Sequence, residues 1–195
     1  MKNITTIVIS ILIISVFFGC TKKNTQILMK TDLGDIKIEI FENEAPITAS
    51  NFLRYVDENR FTDACFYRVV RLDNQPNSEI KIEVIQGGLY DDFHIDALEP
   101  IKHETTKETG ILHKNGVISM ARNEPGTATS EFFICVGDQP KLDFDGDRNP
   151  DLQGFAAFGK VVEGMDIVRK IQQLKDKNQM LIDRLPINEI VRIDN

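Results

Sequence analysis

The sequence predicts a mainly β fold, a closed eight-stranded antiparallel barrel capped by two α-helices. Three observations lead there. Eight short segments carry the apolar patterning of strands, two carry the 3.6-residue period of amphipathic helices, and turns join most of the strands. A doubly wound parallel sheet would need helices alternating regularly with its strands. An antiparallel sheet closed on itself, with the helices over its ends, fits better.

Taken in order, Gln26 to Thr31 runs into Asp32-Leu33-Gly34-Asp35, a turn signal, and Ile36, Ile38 and Ile40 then alternate with Lys37 and Glu39. The two segments should form a hairpin, half-buried on one face. A helix follows. Pro46 suits its first turn, and Ala49, Phe52, Leu53 and Val56 fall at i, i+3, i+4 and i+7. Further strands are expected at 65–70, 80–86, 116–121, 131–136, 155–162 and 187–193. A second helix is expected over 164–174, with Ile167, Val168, Ile171 and Leu174 on one face. No repeat, low-complexity tract or Pro/Gly/Ser-rich linker divides residues 26–195, which read as one domain.

The chain has 195 residues, 42% apolar and 27% charged, an ordinary globular balance rather than that of a disordered, collagenous or disulfide-dense protein. With 23 basic against 30 acidic residues its formal net charge is −7, which argues against a nucleic-acid partner. The front is unlike the rest. Lys2 precedes an apolar run from Ile7 to Phe18 broken only by Ser10 and Ser15, too short for a comfortable membrane span. The run ends in Phe17-Phe18-Gly19-Cys20, which resembles a bacterial lipobox, with Phe18 bulkier than the usual residue. The resemblance implies a signal peptide over 1–19, a lipidated Cys20 opening a tether over 20–25, and a domain over 26–195 held at the cell envelope, facing the periplasm or the exterior. A plain secretory signal with an incidental Cys, or an uncleaved anchor, are the alternatives. Losing the first 19 residues removes Lys2, so the mature side-chain charge falls to −8. Cys65 and Cys135 could pair in an exported protein, but each sits in an apolar, strand-like run and reads as a buried free thiol.

Four stretches point to one family: TDLGDIKIEIFENEAPITASNFLRYV (31–56), FYRVV with IQGG (66–70 and 85–88), SMARNEPGTATSEFFICVG (119–137) and GFAAFGKVVEGMDIVRKI (154–171). In this order and spacing they resemble the cyclophilin-type peptidyl-prolyl cis–trans isomerases, from about residue 27 to the C-terminus. The resemblance implies a peptide groove on the outer face of the barrel, proline-containing client segments as partners, and a monomer. The chemistry is rotation about an X–Pro amide, which exchanges over tens to hundreds of seconds unaided. No bond breaks, so neither nucleophile, metal nor cofactor is required. A catalyst must bind the twisted amide better than either planar form. Twisting localises the lone pair on the prolyl nitrogen, where a fixed cation can donate a hydrogen bond beside an apolar pocket for the ring.

Arg68 matches the family's catalytic arginine, though an Arg in an apolar strand more often pairs with a carboxylate. Phe133 matches the floor of the proline pocket, and Gln86 a glutamine that binds the substrate backbone and steadies the arginine. Phe132 and Phe133 point to opposite faces of one strand, so only one can line the groove. Val84, Ala121, Arg122, Glu131, Leu142 and Phe155 fall at further substrate-facing positions. Three departures stand out. Glu131 replaces the usual Gln and, paired with Arg68, would hold it but dilute its charge. The segment from Arg71 to Val84 is long and puts Glu83-Val84 where many members carry Phe-Met. Phe155 replaces a pocket His, and the chain has no Trp. The alternative to an enzyme is an anchored proline-peptide-binding module of the same fold with weak or no turnover.

Other apparent sites read as ordinary. Asp143, Asp145, Asp147, Asn149 and Asp151 alternate, but Gly146 stands too early and Gly154 replaces the closing Glu of an EF-hand, so a solvated acidic loop is expected. His94, His103 and His113 lack metal-ligand spacing and read as surface or loop residues.

Overall fold

The structure is a computed structural model that describes residues 24–90 and 98–193. The expected export signal, Cys20 and His94 lie outside the described residues. The elements are β1 (Thr25–Thr31), β2 (Gly34–Ile40), α1 (Pro46–Asp57), β3 (Cys65–Val70), β4 (Val84–Gly88), α2 (Thr106–Thr109), β5 (Val117–Met120), β6 (Phe132–Cys135), β7 (Ala156–Glu163), α3 (Met165–Gln172), β8 (Asp176–Lys177) and β9 (Met180–Ile193). The strands run β1-β2-β7-β5-β6-β4-β3-β9, and β9 pairs back onto β1, so eight strands close an antiparallel barrel. The two-residue β8 is an appendage that pairs only with the start of β9.

The hairpin forms in the expected register, with Ile27 opposite Ile38 and Met29 opposite Ile36, all fully buried. At the start of α1 no residue of its own caps the helix. Glu104 does so from a distance, accepting from the Ile47 and Thr48 amides at 3.1 and 2.7 Å and from the Thr48 hydroxyl at 2.7 Å. Phe52 on the buried face of α1 meets Phe61, Phe132 and Phe158 with ring centroids 5.1, 5.7 and 5.0 Å apart, which makes an aromatic centre for the barrel. Before α3 the chain turns at Gly164 (φ +93°), where a Cβ would stand 2.4 Å from the Asp35 carbonyl oxygen, so only glycine fits.

Two differences from the sequence expectation have local causes. The strand expected over 80–86 is formed only as Val84–Gly88. Upstream, the buried Gln75 side chain donates to the Ile82 carbonyl at 2.8 Å and accepts from its amide at 3.3 Å, taking the backbone groups a ladder would have used. The third helix, α2, is a single turn held by a capping box between Thr105 and Glu108, too short for periodicity to reveal.

The sheet buries residues on both faces. Phe66, Val69, Ile85, Phe132 and Ile134 fill the barrel. Val70, Ile82, Val84, Phe133, Cys135 and Leu142 form a second cluster outside it, with Ala121 and Phe155 packed against them. Both Cys65 and Cys135 are free and buried, and burial pushes both thiols above their ordinary value. Because Phe132 is fully buried among Phe52, Phe61 and Phe66, Phe132→Ala should destabilise the fold by about 3–5 kcal/mol. Denaturant unfolding checks this, and a loss below 1 kcal/mol would mean the barrel interior is not packed as described.

Candidate active site

A local irregularity in β3 places the groove's polar residues. The β3–β4 register shifts between Phe66 and Arg68, so Phe66 opposes Gly87 and Arg68 opposes Gln86. The extra residue, Tyr67, resets the alternation. Phe66 and Val69 therefore point into the barrel, while Tyr67 and Arg68 line cavities on its outer face. From the facing strand, Gln86 reaches both: its carbonyl oxygen accepts from Arg68 Nη1 at 2.9 Å, and its amide donates to the Tyr67 hydroxyl at 2.7 Å.

The cavity beside Arg68 holds about 290 Å³, and Ile82, Val84, Ala121, Phe133, Leu142 and Phe155 supply its apolar walls. Phe133 and Phe155 meet edge to face at 5.2 Å between centroids. Arg122 completes this wall without presenting its charge. Its side chain is 1% exposed, it forks onto Asp151 at 2.8 and 2.9 Å and donates to the Gly154 carbonyl, and its guanidinium lies 5.2 Å from the Phe155 ring centroid. The sequence-expected residues Arg68, Gln86, Val84, Ala121, Arg122, Phe133, Leu142 and Phe155 thus converge on one cavity, and Glu131 lines a second of about 500 Å³ next to it.

Among the described residues Arg68 makes three hydrogen bonds: Nη1 to Gln86, and Nε and Nη2 to Gln179 Oε1 at 3.1 and 2.6 Å. A guanidinium has five N–H donors, so one on Nη1 and one on Nη2 remain for the cavity. Burial lowers the Arg68 pKa from its ordinary value, and the charge of Arg148 works in the same direction. Both acceptors are neutral carboxamides. Among the described residues no carboxylate bonds to Arg68.

The chain matches the family described as cyclophilin type peptidyl-prolyl cis-trans isomerase/CLD over residues 26–194. The chain belongs to that family. A peptidyl-prolyl cis-trans isomerase of Acinetobacter baylyi is 37% identical over 166 residues, spanning 84% of this chain and 80% of its own. Peptidyl-prolyl cis-trans isomerase A of Dickeya dadantii is 33% identical over 195 residues, spanning 97% and 94%. The crystal structure of a Cryptosporidium parvum cyclophilin type isomerase has the same fold, with a TM-score of 0.70 at 23% identity over 88% of this chain and 99% of that one. The protein is therefore a cyclophilin-type peptidyl-prolyl cis–trans isomerase.

Of the two arrangements the sequence leaves open, the structure shows the one in which Glu131 of this cyclophilin does not pair with Arg68. It is tucked against Gly88, where Oε1 accepts from the Leu89 and Tyr90 amides at 2.7 and 3.3 Å and from the Ser130 hydroxyl at 3.2 Å. The β4 backbone, leaving the sheet beside β6, supplies donors closer than the arginine. The carboxylate also faces the Tyr67 hydroxyl, but Oε2 is buried without a hydrogen bond of normal geometry. Nor does Glu83 line the groove. Its amide bonds to Gln139 Oε1, and Ile82 supplies the wall instead, keeping it apolar.

His113 lies in a loop, one of the two expected settings. It is 1% exposed rather than on the surface, with Nδ1 2.7 Å from Asp143 Oδ1, Nε2 3.0 Å from Ser119 Oγ, and its ring stacked on Phe133 at 5.9 Å. It buttresses the floor of the cavity from behind. His103 is half-buried with Nε2 3.2 Å from the Gln153 carbonyl, and burial lowers its pKa. Three of the acidic loop's four carboxylates go to protein partners: Asp143 to His113, Asp147 to Lys141 and Asp151 to Arg122. Among the described residues no three His, Cys, Asp or Glu side chains cluster as a metal site.

Burial raises the Glu131 carboxyl above its ordinary value, against hydrogen bonds from Tyr67, Tyr90, Leu89 and Ser130 that pull it down. The folded state therefore favours the neutral acid more than the unfolded chain does, and stability falls as pH rises from the ordinary carboxyl value through the folded pKa. Glu131→Gln cannot ionise, so it removes this cost and should stabilise the protein at pH 7. The gap should close below the ordinary carboxyl value of 4.5. Denaturant unfolding at pH 7 and pH 4 tests this; a loss of stability at pH 7 would contradict it.

Proposed function

We propose that this isomerase works at the cell envelope, anchored through a lipid on Cys20, and turns prolyl bonds in exported client proteins as a monomer. Arg68 is the catalytic residue, Gln86 holds both it and the substrate backbone, and Phe133 floors the pocket for the proline ring. One observation carries the catalytic part: a charged guanidinium with two spare N–H groups stands at the rim of an apolar cavity. As the amide twists, resonance is lost and the nitrogen lone pair becomes an acceptor. A donor already in place strengthens its bond only in that twisted form, which lowers the barrier without stabilising the planar states equally. Val84, Leu142, Ala121 and Phe155 hold the ring and exclude water, so the amide twists in a medium where the charge is weakly screened. Phe155 in place of a histidine costs nothing here, because no proton is transferred.

Export and anchoring rest on the sequence of the first 20 residues: a positive start, a short apolar core and a Gly-Cys end. Among the described residues no helix is long and apolar enough to cross a membrane.

Two measurements test the proposal. Arg68→Ala in the full-length chain, solubilised in detergent, should lower turnover of an Xaa-Pro peptide about a hundredfold while peptide binding persists. Turnover that survives the change would remove Arg68 from the mechanism. Mass analysis of the protein from cells fed a labelled fatty acid should place the label on Cys20, and an unmodified Cys20 would remove the anchor.

A further inference from the structure

We infer that Gln179 is the positioning residue of Arg68, an inference that rests on the catalytic reading of Arg68 above. Gln179 occupies the turn between β8 and β9, where Asn178 and Gln179 both hold positive φ angles of 54° and 71°. All four polar groups of Gln179 are engaged, and their five bonds converge on Arg68 and its surroundings. Its side-chain oxygen takes Arg68 Nε and Nη2 at 3.1 and 2.6 Å, and its side-chain amide donates to the Asn74 carbonyl at 3.3 Å. Its backbone oxygen accepts from the Val69 amide at 2.8 Å, and its backbone amide donates to Asp176 Oδ2 at 2.9 Å. One residue therefore grips β3 by its backbone beside Arg68 and Arg68 by its side chain.

The grip is itself anchored. Asp176 accepts from Arg71 Nη2 at 2.5 Å and from Asn74 Nδ2 at 3.2 Å, and Asn74 also donates to the Val69 carbonyl at 3.0 Å. Nε and Nη2 form one edge of the planar guanidinium. With that edge on Gln179 and Nη1 on Gln86, three of the five donors are tied to protein, which restrains rotation of the guanidinium plane. Both supports are carboxamides, so the orientation is fixed without an opposite charge competing for the donors. Without Gln179 the arginine keeps a single bond to Gln86 and can swing about its long side chain.

The test measures kcat and KM on a proline-containing peptide by NMR exchange, using the full-length chain in detergent. Gln179→Asn suits a positive φ but is one methylene too short to reach Arg68. Gln179→Met keeps the length and offers only a weak acceptor; folding of each is checked by thermal melting. Both variants should lose about tenfold in kcat with KM within about twofold of wild type. In an Arg68→Ala background neither should cause further loss, because the residue acts through the arginine. Unchanged kcat in the variants, or an equal additional loss in the Arg68→Ala background, would overturn the assignment of Gln179. Arg68→Ala with wild-type turnover would instead overturn the catalytic reading of Arg68, so the two failures are distinct.

Discussion

An arginine can give a hydrogen bond to a weak acceptor such as an amide nitrogen only if stronger acceptors have not already claimed its protons. A carboxylate would hold the guanidinium in place and draw on the same donors. At Arg68 the supports are Gln86 and Gln179, both neutral, at 2.9 Å for Gln86 and 2.6 and 3.1 Å for Gln179. Most of the nearby acidity is spent elsewhere: Glu131 on backbone amides, Asp143 on His113, Asp151 on Arg122 and Asp176 on Arg71. The chain is acidic overall, yet among the described residues the rim of the cavity carries arginines and amides. The proposed catalysis depends on this separation of holding from neutralising.

The barrel makes the separation possible. Its closure leaves the outer face of β3, β4 and β6 as a rigid platform, and the register shift at Tyr67 turns two consecutive side chains of β3 outward. Phe132 and Phe133 divide the labour of β6, one filling the interior and one flooring the cavity. Behind Phe133 stands His113, itself tied to Asp143 and Ser119, so the floor is backed by a polar network rather than by a compressible gap. Arg122 plays a matching part at the other wall, with its charge answered by Asp151 and its flat face against Phe155.

Much of this was legible in the sequence. The β1–β2 hairpin and the apolar stripe of α1 show their periods plainly, and β3 occupies the expected 65–70. Arg68, Gln86 and Phe133 stand in short motifs whose neighbours identify them. What was hidden depends on contacts far apart in the chain. Gln179 is 111 residues from Arg68 and lies in a polar turn with no pattern of its own. The burial of His113 follows from Asp143, 30 residues away. Glu131 was placed near Arg68 by the family position it occupies, but the chain leaving β4 offers it backbone donors that no strand pattern records. The wall role of Ile82 was masked because Gln75 replaces the ladder there.

The central claim is that Arg68, held by two neutral amides, donates to the prolyl nitrogen of a peptide seated on Phe133. A high-resolution structure of the protein with a bound Xaa-Pro peptide tests it most directly. The claim predicts the proline ring in the cavity lined by Phe133, Leu142 and Phe155, an Arg68 N–H aimed at the prolyl nitrogen, and the bonds to Gln86 and Gln179 intact. A proline seated elsewhere, or an Arg68 turned away from it onto a carboxylate, would contradict the claim.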